Sequence, residues 1–205
     1  MTPSTAFRRV TAPSKIAMVN NQLNNPSLKY NQGSSTEIYD YVPQSATTLG
    51  TSQVITFFGS VNTKTFPLTN LQSNMLQVGE ALSCEYIIFT RIVQITATGQ
   101  ITECTNLLTT IAGMNLAQFN LNLDNSRIIK QNSLLRSNSV FNPKGQTSVN
   151  NVWYPDTDLV IPPQISFTLE LRTPVNTDAV VAGSTISYGC HIFGSGAILN
   201  LKTNV

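Results

Sequence analysis

Apolar and polar positions alternate along much of the chain. Ile165, Phe167, Leu169 and Leu171 are interleaved with Ser166, Thr168, Glu170 and Arg172, the pattern of a strand with one buried face. Pro162 and Pro163 before it and Pro174 after it sit where proline is tolerated. Phe119, Leu121 and Leu123 alternate with Asn120, Asn122 and Asp124, and Asp124-Asn125-Ser126 reads as a hairpin turn into a strand over 128–135. Residues 53–58 predict a strand ended by Gly59, and 61–66 a partner for it that stops at Pro67. Residues 82–95 are rich in Ile, Phe, Tyr and Val; their alternation fails near Ile87-Ile88-Phe89, which predicts burial on both faces or a bulge. Gly99 marks a turn. The last strand covers residues 185–193, and Gly194-Ser195-Gly196 breaks it before 197–201. Two stretches read as short helices: 106–118, which places Leu107, Ile111 and Met114 on one face, and the weaker 68–77.

Residues 1–36 hold no helix or strand period. They contain Pro3, Pro13, Pro26 and an Asn-rich run at 20–25, and they read as an extended arm; 37–50 read as the transition into the folded part. The expected organisation is therefore an arm and transition over 1–50, followed by one β-sandwich over 51–205. With about seven to nine strands at irregular spacing and long polar loops near 68–80, 104–118 and 140–158, a Greek-key sandwich fits better than a meander. The expected fold is all-β, an antiparallel sandwich of jelly-roll type with one or two short helices in its loops.

Composition sharpens this picture. Charged residues make up 11% of the chain, under half of the roughly 25% usual in soluble proteins. Thr, Asn, Ser and Gln together supply 77 of the 205 residues. Five Glu and six Lys cannot furnish long surface helices. A hydrophobic fraction of 41% excludes a disordered chain. A neutral polar surface suits contact with copies of the same chain, because few charges must be desolvated. The apolar, charge-free stretches at 105–123 and 179–201 contain too many polar residues and glycines for a membrane span, and no export signal opens the chain.

Candidate chemistry is sparse. His191 is the only histidine, and in a strand it faces away from Cys190, so the two cannot form a Cys–His pair. No nucleophile-elbow motif accompanies any serine, and His191 reads as structural. Cys84, Cys104 and Cys190 lack metal or disulfide spacing and read as free, buried thiols in a reducing compartment. Asp156 and Asp158 form the tightest acidic pair; they are a weak candidate for Ca²⁺, outweighed by a solvated turn, because one pair cannot supply six to eight ligands. Gly194-Ser195-Gly196 lacks the lysine of a phosphate loop. Arg8, Arg9 and Lys15, in an arm without acids, are weak candidates for contact with nucleic acid or the inner surface of a shell. Trp153 and the tyrosines at 30, 39, 41 and 154 could stack on sugar rings, although core plugs and subunit contacts are the commoner roles. No catalytic residue, cofactor or metal is expected.

The acid-free arm with Arg8-Arg9, the charge-poor β-rich body, and its late strands around Asp158-Leu159-Val160-Ile161-Pro162-Pro163 and Ser187-Tyr188-Gly189-Cys190-His191-Ile192-Phe193-Gly194 form an organisation that runs over the whole length and rests on no single motif. In that organisation the chain resembles the jelly-roll capsid proteins of small tailless icosahedral viruses, bacteriophages in particular. The resemblance implies a non-enzymatic virion protein, assembled in the host cytoplasm, that forms a shell of many copies alongside other virion proteins. Its arm would reach neighbouring subunits and viral nucleic acid. The alternative is a virion spike, or a receptor- or carbohydrate-binding sandwich.

Overall fold

Phe167, Leu169 and Leu171 are all fully buried and lie on one face of strand Phe167–Thr173, as their spacing requires. In a computed structural model, which describes residues 17, 21, 32–45, 51–111, 113–124, 126–134, 152–174, 178–179 and 182–198, that strand is the eighth of nine. The strands are β1 (Gln32–Gln44), β2 (Gln53–Phe57), β3 (Glu80–Ile95), β4 (Ile101–Asn106), β5 (Gln118–Leu123), β6 (Ser126–Ser133), β7 (Leu159–Ile161), β8 (Phe167–Thr173) and β9 (Ser184–Ile198). They form two antiparallel sheets. The first has the order β1-β9-β3, with β4 and β7 sharing the far edge of β3; the second has the order β2-β8-β5-β6. The expected all-β sandwich of antiparallel sheets is thus what the residues build.

The first sheet is organised by β9. It pairs with β1 from Gln32–Ile198 to Gln44–Ile186, and with β3 from Glu80–Ile198 to Ile95–Ser184. The outer edge of β3 meets β7 at residues 82–84, Trp153 at Ile87 and β4 at residues 90–94. β3 carries a bulge two residues before Ile87. Cys84 lies opposite Gly194 and Tyr86 opposite Phe193, so Glu85 is the extra residue of a bulge. Leu82 and Cys84 face the core before it, Ile87 and Phe89 after it. Between the sheets, Phe89 packs on Phe57 and Phe119, and Phe119 meets Trp153 edge to face at 5.0 Å.

Several expectations are corrected. The arm does not run to residue 50: residues 32–44 are a full strand of the first sheet. Their Pro43 is tolerated because β1 is an edge strand. That edge is closed by the segment after β2. Tyr41 N donates to Leu68 O (2.8 Å), Tyr39 N to Asn70 Oδ1 (2.9 Å), Thr69 Oγ1 to Tyr39 O (2.9 Å) and Asn70 Nδ2 to Glu37 O (2.7 Å). Residues 61–66 do not pair with β2; they begin as a 3-10 turn, Val61–Thr63, and no helix forms over 68–77. Residues 106–118 divide into the single-turn helix α1 (Leu107–Thr110), capped by Asn106 Oδ1 on Leu108 N, and a 3-10 turn at Met114–Leu116. Leu107, Ile111 and Met114 are still buried together.

Gly194-Ser195-Gly196 is not a break. β9 runs straight through it, and Gly194 is there for close approach: a Cβ at this position would lie 2.0 Å from the carbonyl oxygen of Ser83. At Gly189 a Cβ would instead meet side chains rather than backbone, the Tyr41 ring at 2.4 Å and Thr90 Oγ1 at 2.5 Å. Gly194→Ala is therefore expected to lower the unfolding free energy by about 3 kcal/mol, the upper end for overpacking, and Gly189→Ala by less. Urea unfolding of both variants measures the order, and an equal or reversed order contradicts it.

Candidate functional site

Because opposite residues in an antiparallel ladder share a face, the register places Glu37, Tyr39 and Tyr41 of β1, Gly189, His191 and Phe193 of β9, and Tyr86, Ile88 and Thr90 of β3 on the outer face of the first sheet. His191 is the centre of this group. Its Nδ1 lies 2.6 Å from Glu37 Oε1 and its Nε2 lies 2.9 Å from Tyr41 Oη and 3.0 Å from Thr90 Oγ1. Thr90 Oγ1 also donates to Tyr41 Oη at 3.2 Å. With the carboxylate facing Nδ1, that nitrogen carries the proton in the neutral ring and Nε2 accepts, an assignment made by the bonding partners. The result is a polar chain from Thr90 through Tyr41 and His191 to Glu37. Gly189 leaves room for the Tyr41 ring over the sheet.

Aromatic rings extend the cluster. His191 stacks against Tyr39 (5.4 Å, 25°) and Phe193 (6.1 Å, 11°), and Phe193 against Tyr86 (4.7 Å, 19°). At 4.7 Å two nearly parallel rings overlap face to face, so these faces are occupied by each other. Trp153 is buried in the core beside Phe119, and Tyr30 lies outside the described residues. Of the aromatics read as a sugar-stacking surface, Tyr39 and Tyr41 thus belong to the His191 row, and Tyr154, 40% exposed, borders it through Tyr86.

A carboxylate, an imidazole and a hydroxyl in sequence have the connectivity of a hydrolytic relay. The surroundings differ from one. Thr90 sits mid-strand between Gly189 of β9 and Asn106 of β4, where the backbone N–H groups that would hold an oxyanion belong to the ladders. Burial pushes the Tyr41 hydroxyl up to about 12, so it stays protonated. Burial likewise takes the Cys84 thiol to about 12 and raises that of Cys190 well above its ordinary value. Cys104 departs from expectation: it is free and exposed, on β4.

Two ion pairs are sequestered. Fully buried Asp40 receives Lys64 Nζ on both oxygens at 2.8 Å and Phe58 N at 2.8 Å, which holds Phe58 at φ 63 where β2 ends. Arg91 forks onto Asp178 at 2.9 and 3.0 Å, and Tyr188 Oη donates to the same carboxylate at 3.0 Å. A cleft of about 470 Å³ lies against the segment that closes β1, lined by Val61, Lys64, Phe66, Thr69 and Leu71 among others. Its Lys64 and Thr69 already serve Asp40 and the Tyr39 carbonyl.

Asp156 and Asp158 are exposed in the loop before β7, and among the described residues no three His, Cys, Asp or Glu side chains converge to hold a metal. Arg8, Arg9 and Lys15 lie outside the described residues. Among the described residues no helix is long and apolar enough to cross a membrane. Comparison with family models, with curated proteins and with solved structures yields no match.

The His191 cluster escapes sequence inspection because Glu37, Tyr39 and Tyr41 are about 150 residues away, in a segment that reads as a transition; the separation of Tyr41 and His191 is 150. Its titration is testable. Burial lowers the His191 pKa below 6.5, against the smaller upward pull of Glu37. Protons then bind the unfolded chain first, so this contribution to stability is complete above about pH 6.5 and is lost as pH falls toward the depressed folded value. The urea midpoint is expected to drop between about pH 7.5 and 5.5, and His191→Gln to flatten that drop; an unchanged slope contradicts the assignment. Lys64→Ala strands the Asp40 carboxylate and is expected to cost about 3–5 kcal/mol in the same assay. A loss under about 1 kcal/mol would show that water replaces the ammonium.

Proposed function

We propose that this chain is a structural virion protein that self-assembles into an icosahedral shell in the host cytoplasm, with its sandwich as the building block. The observation that carries the reading is the nesting of strand pairs: β1 with β9, β2 with β8, β3 with β7, β5 with β6. Such nesting is that of one long hairpin folded over on itself, with β4 an insertion beside β3, and it supports a jelly roll, an architecture used by viral shells and lectins. The charge-poor composition favours the shell over the lectin. With 11% charged residues, and with Asp40, Lys64, Arg91 and Asp178 spent on internal pairs, little charge must be stripped of water when copies meet. Many weak contacts repeated by symmetry then hold the shell.

In this proposal the segment before β1, with Arg8, Arg9 and Lys15, contacts neighbouring subunits and viral nucleic acid, and other virion proteins complete the particle. It ends where β1 begins, at Gln32, earlier than the sequence suggests. Electron microscopy and sedimentation of the purified full-length chain are expected to show closed particles of uniform size. A monomer that persists at high concentration contradicts the reading, and particles carrying only tens of copies in a virion favour the spike.

A further inference from the structure

Phe66 is the most exposed large apolar side chain among the described residues, at 83%. A lone phenyl ring in water needs no explanation by itself. This one is held in place and borders a cleft. Leu68 N donates to Thr65 O at 2.8 Å and closes a turn with Phe66 inside it. Before the turn, Lys64 N donates to Val61 O and Lys64 Nζ grips both oxygens of Asp40. After it, Leu68 O accepts from Tyr41 N, while Thr69 and Asn70 side chains donate to the carbonyls of Tyr39 and Glu37 on β1. The ring is thus carried on a segment tied to β1 on both sides of the turn.

The cleft beside it, about 470 Å³, falls in the roughly 300–1,000 Å³ range of ligand pockets. Buried Val61 and Thr69 line it with half-buried Leu71. Asn62, Thr65 and Gln72 line it too; they are exposed, and their side chains make no hydrogen bond among the described residues. An amide offers donors and an acceptor, and a hydroxyl both donates and accepts. Among the described lining residues Lys64 is the one ion, and Asp40 already compensates it.

We propose that this cleft binds a neutral sugar ring, its C–H face on Phe66 and its hydroxyls on Asn62, Thr65 and Gln72. The lining decides against other ligands. A phosphate or carboxylate calls for an uncompensated cation, and among the described residues the lining has none. An extended peptide calls for an open strand edge, and residues 68–70 already occupy that of β1 here. A wholly apolar ligand would cover the amides without pairing them. A pyranose has an apolar face and a rim of hydroxyls that each donate and accept, the two features the cleft offers. This inference goes beyond the shell reading and does not rest on it.

Saturation-transfer NMR of the full-length protein tests it, with the methyl glycosides of glucose, galactose, mannose and N-acetylglucosamine as probes. At least one is expected to bind saturably, with a Kd of about 1–10 mM, and to receive most transfer at the C–H protons of one ring face. Phe66→Ala is expected to weaken that binding about tenfold, and Asn62→Ala or Gln72→Ala about threefold. Phe66→Trp is expected to keep it. These side chains are exposed, so the urea midpoints of the variants are expected to match the parent's. The absence of saturable transfer to all four glycosides overturns the proposal, and so does binding that Phe66→Ala leaves unchanged. Tetraglycine that binds through Phe66 where no glycoside does makes the cleft a peptide site and overturns it as well. The two readings fail separately. Sugar binding by a chain that never closes into particles removes the shell and leaves the cleft, whereas particles without sugar binding remove the cleft and leave the shell.

Discussion

The fold depends on one strand that is paired along its length on both sides. β9 lies between β1 and β3, and it joins the start of the described body to its middle and its end. Its inner face supplies Ile186, Tyr188, Cys190 and Ile192 to the core, all fully buried. On its outer face Gly189 admits Tyr41 and Thr90, and His191 and Phe193 after it join the stacked row. Where β3 comes closest, Gly194 has no side chain to hold the strands apart. The alignment of β1 and the bulge at Glu85 are both registers measured against this strand.

The scarcity of charge has a structural counterpart. Asp40 and Lys64 pin the end of β2 to β1, and Arg91, Asp178 and Tyr188 tie β3 to the segment before β9. These pairs sit at crossings between elements, where a buried charge specifies one partner geometry over others. What remains outside is chiefly Thr, Asn, Ser and Gln, groups that can exchange water for a neighbour's amide or hydroxyl at small cost.

Local pattern made part of this legible in the sequence. β8 and β5 were readable because one buried face imposes a period of two. Alternation fails near Ile87 because the apolar Ile88 sits on the outer face beside His191, while the bulge in β3 lies earlier, at Glu85. β1 was hidden because an edge strand begun by Gln32-Gly33-Ser34-Ser35 has no apolar face until Ile38. Glycines in β9 misled because a bend and a close approach demand the same residue, and only the position of Ser83 tells them apart. Residues 61–66 have strand composition, yet the chain must turn there to bring Lys64 to Asp40. The His191 cluster joins residues from three strands, and no spacing rule within one segment could assemble it. Asp156 and Asp158 are close in sequence, but among the described residues no third metal-ligating side chain joins them.

Amide hydrogen exchange tests most directly whether β9 is the element on which the fold depends. Its central amides, 186–192, are expected to exchange only through global unfolding, with a free energy equal to that from denaturant titration, while the amides of β4 and β6 exchange through smaller local openings. Exchange at 186–192 as fast as in those edge strands would contradict the account, because the first sheet would then open without the rest of the molecule.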